Sequence, residues 1–243
     1  MAHRYFLTEL YDHKVAKVMG DDAVHLIRVM RVKEGDALTL CDQNGMDYPA
    51  TITAIDGDDC LTCTVGDGIP NPAEPRKNLV VYMALPKGDK LEFVVQKCCE
   101  LGASKLIPFE SAYCVAKKSK KDDQKRGRLQ KIAAEACKQS GRSIPMEVAP
   151  TMTFGEVIAD MQHQEVNLFF YEHATTSFVT AGLDTAQSVG VIIGSEGGFN
   201  EKEETSFVKA GALSLSLGKR ILRCETAAVS AVTLAMFAMG EME

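Results

Sequence analysis

The chain has 243 residues, of which 46% are hydrophobic and 25% charged, and its formal net charge is −6. This length and composition are those of a globular protein with one large domain or two modest ones, and they exclude a disordered or fibrous chain. No apolar run approaches the length of a membrane span, and the first residues, MAHRYFLTELYDHK, lack a secretory hydrophobic region. We therefore expect a cytoplasmic protein.

Charge is distributed unevenly along the chain. Residues 1–72 carry 6 basic and 12 acidic side chains, whereas residues 73–243 carry 21 of each. Within the neutral part, residues 117–142 hold 10 basic and 3 acidic side chains. Such a stretch is usually a solvated surface, but an acidic protein still binds nucleic acid when its basic residues share one face.

The first third of the chain predicts a small β-barrel. AVHLIRVMRV is typical of one short helix, and ALTLCD, ATITAID and CLTCTV predict strands separated by turn residues. Three prolines in residues 69–78 predict a linker, so we expect domains at 1–72 and 73–243. The C-x-x-C of Cys60 and Cys63 lies inside a strand pattern and lacks a second pair, so reduced thiols are predicted and no metal site.

Strands and helices alternate after the linker. The predicted strands are LVVYMAL, KLIPFE, VNLFFYE, VGVIIGS and LSLSLG, and the predicted helices are GDKLEFVVQKCCELG, RLQKIAAEACKQSG, EKEETSFVKAG and TAAVSAVTLAMFAM. Asp89 is the expected cap of the first of these helices and Gly102 its end. The alternation predicts a mostly parallel α/β sheet, in which ligands bind beyond the carboxyl ends of the strands.

The loop IIGSEGGFN follows one of these strands and is rich in glycine. It is neither G-x-G-x-x-G nor a Walker A sequence, and no lysine or arginine lies within residues 191–201. A phosphate would therefore meet the carboxylate of Glu196 without a basic partner in the loop. Gly194, Gly197 and Gly198 favour a ligand held by backbone groups, such as an adenine edge and ribose hydroxyls, although a plain tight turn before a helix fits equally well.

The loop LGKRILRCETA follows a later strand. Arg220 and Arg223 flank an apolar pair, Ile221 and Leu222, in this loop. Glu225 and Thr226 stand at the start of the last helix, where Thr226 is a candidate cap and Glu225 favours the positive end of the helix. Helix capping would explain Glu225 and Thr226. A surface salt bridge is one alternative explanation for Arg220 and Arg223.

These segments carry a family resemblance. GSEGGF followed by LGKRILRCETA, with HLIRVMRVKEGD, KLEFVVQKCCELGASKLIP and KIAAEACKQSGR, resembles the ribosomal small-subunit RNA methyltransferase E family, a branch of the SPOUT methyltransferases. That family methylates N3 of a uridine in 16S ribosomal RNA, and the resemblance covers nearly the whole chain. Ser195 stands where the family usually has proline, and we expect binding to persist because serine keeps the backbone groups.

The resemblance implies an α/β fold with a SPOUT-type trefoil-knotted parallel sheet and helices on both faces, preceded by a small PUA-like β-barrel that binds RNA. It also implies S-adenosylmethionine as the cofactor, 16S ribosomal RNA in the small subunit as the partner, and a homodimer. A cationic sulfonium would make the carboxylate of Glu196 tolerable. The expected cofactor-binding residues are Phe170, Tyr171, Glu172, Gly194, Ser195, Glu196, Gly198, Leu217, Gly218, Ile221, Leu222, Thr226 and Ala227.

The chemistry assigns roles to two residues. Uridine N3 is a poor nucleophile while it holds its proton, so Arg223 is expected to stabilise the uridine anion and Glu225 to accept the proton or orient the base. Arg220 is expected to hold an RNA phosphate or the cofactor carboxylate. The expected RNA-binding residues are Arg4, His25, Arg28, Arg31, Lys117, Lys118, Arg142 and Arg220.

Two other classes of protein stay open at this point. A non-catalytic RNA-binding module would keep the basic stretch but would not need LRCETA. A nucleotide-dependent oxidoreductase would need a phosphate loop that the sequence lacks. The apolar last helix favours a dimer, and a fully buried helix is its alternative.

Overall fold

A computed structural model describes residues 4–117, 122–178 and 182–242. The chain divides into two compact units, one made of residues 1–74 and 137–145 and the other of residues 75–136 and 146–243. The short segment 137–145 thus belongs with the first unit, although it lies far along the chain.

The first unit is built on a seven-stranded sheet. Its strands run in the order β1-β4-β5-β6-β3-β2, and β7 pairs with β5. The predicted strands of this region are confirmed as β4 to β6, while the short β1 to β3 were not predicted. The bounds are β1 Arg4–Phe6, β2 Glu9–Tyr11, β3 Val15–Met19, β4 Ala37–Cys41, β5 Met46–Asp56, β6 Cys60–Val65 and β7 Ile69–Pro70.

Two features of the first unit differ from the sequence prediction. The helix α1 (Asp21–Val24) continues as a π-helical segment, His25–Met30, and Arg31 follows it with a φ of 53°. Arg31 therefore lies beyond the helix, which ends before the predicted segment AVHLIRVMRV does. In addition, β7 pairs with Met46 and Asp47, so the predicted linker begins with a short strand.

The second unit contains a six-stranded sheet in which all pairs are parallel. The order is β10-β9-β8-β12-β11-β13. The strands are β8 Asn78–Ala84, β9 Lys105–Phe109, β10 Glu147–Val148, β11 Val166–Phe170, β12 Ser188–Ile193 and β13 Leu213–Leu215. Leu79 to Ala84 are buried without interruption, which is the pattern of a parallel strand covered on both faces. The predicted parallel α/β sheet is confirmed.

Helices accompany these strands. They are α2 Lys90–Glu100, α3 Asp122–Ser140, α4 Phe154–Asp160, α5 Glu201–Lys209 and α6 Cys224–Ala238. The sequence did not predict α4, although Thr153 and Glu156 form a capping box at its start. Helix α3 begins at Asp122, earlier than the predicted helix RLQKIAAEACKQSG, which starts at Arg128.

The predicted caps of α2 and α6 have different outcomes. Asp89 is the N-cap residue of α2, although its side chain makes no capping hydrogen bond, and Gly102 follows the helix with a φ of 97°. In α6 the N-cap residue is Arg223, and Thr226 lies inside the first turn. The predicted Thr226 cap is therefore wrong.

Three further observations concern classes of site. Across the described ranges, no helix is long and apolar enough to span a membrane. The same residues include no group of three or more histidine, cysteine or acidic side chains placed to hold a metal ion. All eight cysteines are free thiols. The trefoil knot stays a prediction.

Candidate active site

Three strand ends lie side by side in the second unit. Strand β11 is the central one, because Phe170 aligns with Ile193 of β12 and with Leu215 of β13. All three strands are parallel, so the loops that follow them leave the same edge of the sheet. Two of them are the loops IIGSEGGFN and LGKRILRCETA, and the third begins with the expected cofactor-binding residues Tyr171 and Glu172.

The three loops enclose a cavity of about 390 Å³. It is lined by every expected cofactor-binding residue except Thr226, and by both Arg220 and Arg223. Glu225 is not part of the lining but lies next to it. The cavity also has lining residues that sequence reasoning missed, namely Lys90, Ile193, Phe199, Ser216 and Cys224.

The glycine loop is a tight turn that needs its glycines. The Gly198 N–H donates to the Ser195 carbonyl at 3.0 Å, and Gly198 has a φ of 63°. A Cβ on Gly194 would lie 3.0 Å from the ring of Phe199, and one on Gly197 would lie 2.7 Å from the Cβ of Tyr113. The contact at Gly197 is too close for a side chain, and a side chain at Gly194 would require the ring of Phe199 to move, so close packing favours glycine at both positions.

The turn leads directly into α5. Asn200 caps this helix by accepting from the Glu203 backbone N–H, and the Glu203 carboxylate accepts from the Asn200 backbone N–H. Glu203 is buried and also accepts from the Ala112 N–H at 2.7 Å. The Ser195 hydroxyl is buried and has no hydrogen-bond partner among the described residues. A bound ligand with a polar group at this point would satisfy it.

Glu196 has a basic partner from outside the loop. The Lys90 Nζ lies 2.6 Å from Glu196 Oε1, and the Lys87 backbone N–H donates to the same carboxylate at 3.1 Å. Burial acts to raise the pKa of Glu196, but hydrogen bonds from Lys90 and from backbone N–H groups outweigh it and the pKa lies below its usual value. The carboxylate is therefore ionised and already paired before any ligand binds.

The first turn of α6 carries a thiol and a carboxylate, those of Cys224 and Glu225. The Cys224 thiol donates to Glu225 Oε2 at 3.3 Å, and burial together with this bond raises the pKa of Cys224 to about 12. A thiol with that pKa stays protonated, so it is not a nucleophile at neutral pH. A hydrogen bond from its own backbone N–H lowers the pKa of Glu225 despite partial burial, with help from Cys224, Lys90 and Arg223.

Arg223 differs from its neighbours because its side chain is exposed. Among the described residues the Arg223 guanidinium has no hydrogen-bond or ion-pair partner, although it is near enough to lower the pKa of Glu225. Its backbone is extended, with φ −64° and ψ 150°, as the residue before a helix requires. The site thus combines a free guanidinium, an ionised carboxylate and a cavity whose loop carboxylate is neutralised by Lys90.

The expected RNA-binding residues fall into two groups. Arg142 is 4% exposed and its guanidinium lies 3.1 Å from Glu74, and Arg4 pairs with Asp47 at 2.8 Å and donates to the Gly141 carbonyl. These two arginines hold parts of the first unit together. The His25 Nδ1 lies 2.9 Å from the Tyr5 hydroxyl, and Arg28 pairs with Asp58 at the surface.

The remaining expected RNA contacts are exposed cations. Arg31, Lys117 and Arg220 are exposed, and Lys118 lies outside the described residues. Lys117 also lines a second cavity of about 570 Å³, which lies beyond the ends of β8, β9 and β10. Lys125, Arg126 and Arg128 line the same cavity, and so do the carboxylates of Asp89, Glu92, Asp122 and Asp123.

Two family models match the chain. The model described as RNA methyltransferase domain covers residues 73–236, and the model described as RNA methyltransferase PUA domain covers residues 19–62. The fold, the cavity at the strand ends and these matches define the class: the protein is an RNA methyltransferase with a PUA-like domain before it.

Individual relatives narrow this class. Ribosomal RNA small subunit methyltransferase E of Bacillus subtilis is 31% identical over 242 residues, which cover 95% of this chain and 94% of the relative. The protein of the same name from Rickettsia conorii is 28% identical, covering 94% and 92%. The chain belongs to the ribosomal RNA small subunit methyltransferase E family.

A solved structure gives the same result. The crystal structure of a ribosomal RNA small subunit methyltransferase E from Neisseria gonorrhoeae, bound to S-adenosyl methionine, aligns with a TM-score of 0.88. The two chains are 26% identical, and the alignment covers 98% of each. The architecture of both units is thus shared with a protein that binds this cofactor.

Proposed function

We propose that the protein transfers a methyl group from S-adenosylmethionine to N3 of a uridine in 16S ribosomal RNA. The observation that carries this proposal is the cavity at the ends of β11, β12 and β13, with Arg223 and Glu225 at the start of α6 beside it. Family membership supports methyl transfer to RNA, and the structure from Neisseria gonorrhoeae supports the cofactor.

The residues present fit this cofactor. The cavity of about 390 Å³ falls within the roughly 300–1,000 Å³ of small-molecule sites. The bare backbone of the glycine loop and the unpartnered Ser195 hydroxyl provide polar contacts, and Phe170, Ile193 and Leu217 provide apolar ones. When bound, S-adenosylmethionine supplies a methyl group that is activated by a positively charged sulfur.

The chain's own groups suit the acceptor side of the reaction. The free guanidinium of Arg223 is available to stabilise negative charge on the uracil oxygens as N3 loses its proton. Glu225 is ionised at neutral pH, so it accepts a hydrogen bond from N3–H and orients the base. Its lowered pKa makes it a weak base, so orientation of the base is its main role and proton removal a minor one.

RNA contacts belong to exposed cations in both units. We assign His25, Arg28 and Arg31 of the first unit to the RNA, together with Lys117, Lys118 and Arg220. Arg4 and Arg142 were expected among them, but their guanidinium groups are engaged by Asp47 and Glu74. Their part is to keep the first unit in shape.

Domain roles and assembly complete the proposal. Residues 1–72 serve RNA binding, residues 73–243 serve methyl transfer and contain the knot, and two copies form a homodimer. Helix α6 supports the dimer because it buries one face and leaves Phe237 66% exposed at its end. Light scattering in the micromolar range should give twice the monomer mass of 26.4 kDa.

Two measurements test the function. Calorimetry should show binding of S-adenosylmethionine and much weaker binding of ATP or NAD. The protein should then be incubated with small ribosomal subunits and, separately, with naked 16S RNA, and nucleosides from both analysed by mass spectrometry. Appearance of 3-methyluridine supports the proposal. Binding of RNA without cofactor would favour a non-catalytic module, and tight NAD binding would favour an oxidoreductase.

A further inference from the structure

Lys90 joins two acidic side chains that come from different loops of the site. Its Nζ lies 2.6 Å from Glu196 Oε1 in the glycine loop and 3.9 Å from Glu225 Oε2 in the first turn of α6. Lys90 is itself the first residue of α2 and lines the cavity. The ammonium group of Lys90 therefore connects its own helix to two other chain segments around the same cavity.

This contact differs from an ordinary surface ion pair. Lys97, seven residues further along the same helix, pairs with Glu100 at 2.8 Å, and its side chain is as exposed as that of Lys90. The Lys97 pair links two residues of one helix turn, and such pairs contribute little. The Lys90 contacts instead connect residues 106 and 135 positions apart, and the Lys87 N–H adds a second tie to Glu196.

We propose that Lys90 is a positioning residue of the methyl-transfer site, whose ammonium group holds the glycine loop to the first turn of α6. The glycine loop forms one wall of the cavity, and the turn carries Arg223 and Glu225. Lys90 thereby fixes the wall that receives the cofactor relative to the groups that face the uridine. The role of Lys90 in methyl transfer rests on the proposed function, but its contacts with the two segments can be tested without any ligand.

Three variants separate this role from a general effect on folding. Lys90→Met removes the ammonium but keeps most of the aliphatic stem, Lys90→Arg keeps a charged donor, and Lys97→Met removes a matched ion pair from the same helix. Hydrogen exchange of the ligand-free proteins should be severalfold faster in the glycine loop and in the first turn of α6 for Lys90→Met only. Thermal unfolding would verify that all three variants are folded.

Binding gives a second readout. Lys90→Met should weaken the binding of S-adenosylmethionine and of S-adenosylhomocysteine by a similar factor of about three to ten, because a less rigid cavity wall affects both ligands alike. A direct electrostatic contact with the sulfonium would instead change only the charged ligand. Lys90→Arg should recover most of the affinity, and Lys97→Met should match the parent.

The pH dependence should move as well. The titratable groups around Lys90 are the carboxylates of Glu196 and Glu225 and the Cys224 thiol, and the Arg223 guanidinium acts on Glu225. Lys90 lowers the pKa of both carboxylates, so affinity that depends on their ionised form is lost only as the pH falls through those lowered values. Without Lys90 both pKa values rise, and the loss should begin at a higher pH than in the parent or in Lys97→Met.

Exchange rates in the two segments decide the matter. Faster exchange in both segments for Lys90→Met, with parent rates for Lys90→Arg and Lys97→Met, supports the positioning role. Unchanged exchange in Lys90→Met overturns it. If the parent binds neither S-adenosylmethionine nor S-adenosylhomocysteine, the proposed function fails, and the exchange rates still decide whether Lys90 holds the two segments together.

Discussion

Replacing Arg223 with alanine should slow methyl transfer while leaving the fold and the cofactor affinity nearly intact. The side chain is exposed and has no hydrogen-bond or ion-pair partner among the described residues, so its removal breaks no internal contact. Its backbone alone supports the start of α6, because the N-cap makes no side-chain hydrogen bond. The free energy of unfolding should therefore change by less than about 0.5 kcal/mol.

The expected effect on the rate comes from charge in the transition state. Removal of one preorganised donor beside a developing anion costs about 2.7–4 kcal/mol, or roughly a hundred- to a thousandfold in rate. Because Arg223 is exposed to solvent in the ligand-free protein, we expect the lower end, about a hundredfold. The same substitution should change the pKa of Glu225 less than it changes the rate. The hydrogen bond from the backbone N–H of Glu225 has the largest influence on that pKa.

The assay is single-turnover methylation of ribosomal RNA at saturating S-adenosylmethionine, run beside a calorimetric titration of the cofactor. A rate that falls a hundredfold with unchanged affinity supports a role in the chemical step. If Arg223→Ala transfers methyl groups at the parent rate once saturated, Arg223 has no chemical role. If rate and cofactor affinity fall in parallel, the residue only shapes the loop, and the assignment is equally refuted.

Four further predictions concern other parts of the molecule. Glu225→Gln should slow single-turnover methyl transfer less than Arg223→Ala does. The parent rate should fall as the pH drops through the lowered pKa of Glu225, and the rate of Glu225→Gln should not show this fall at low pH. Arg142→Ala should lower the free energy of unfolding by about 3 kcal/mol in urea denaturation, since the carboxylate of Glu74, whose side chain is only 11% exposed, loses its cation. The exposed pair of Arg28 and Asp58 should contribute less than about 1 kcal/mol. Gly102→Ala should lower the free energy of unfolding by about 2–4 kcal/mol, measured by thermal unfolding, because its φ is 97° and the new Cβ would lie 2.8 Å from Pro75 Cγ. The new Cβ of Gly88→Ala would meet no atom within 4 Å, so this variant should lose only about 1 kcal/mol. Neutralising Lys117 and Lys125 should flatten the log–log salt dependence of RNA binding by about 0.7–0.9 for each phosphate that the variant no longer neutralises, and an unchanged slope would mean that both side chains are only solvated.

Long periodic segments were the part of the fold that the sequence predicted well. The apolar runs of β8, β11 and β12 and the helical spacing of α2 are strong patterns, and their positions are confirmed. Short elements such as β1, β10 and α4 carry too few residues to show a period. The short strands β1 and β10 form because neighbouring strands supply hydrogen-bond partners, as β9 does for Glu147 and Val148 of β10.

The sequence located the loops that line the cavity, but it did not show which distant residues pair with one another there. Each cofactor loop follows its own strand, so local sequence was enough to find it. Lys90 lies 106 residues before Glu196, and only the order of strands in the sheet brings the two together. For the same reason the sequence did not show that Arg142 is engaged by Glu74, which is 68 residues away.

The charge pattern around the cavity also explains the absence of a phosphate-binding sequence. Glu196 and Glu225 share one ammonium group, that of Lys90, so this side of the site carries about one net negative charge. A polyphosphate placed there would be repelled, because like charges at about 4 Å cost about 4 kcal/mol at an effective dielectric constant of 20. A ligand with a cationic sulfur meets no such repulsion. Under the proposed function, the exposed Arg220 and Arg223 are left to meet the negative charge of RNA.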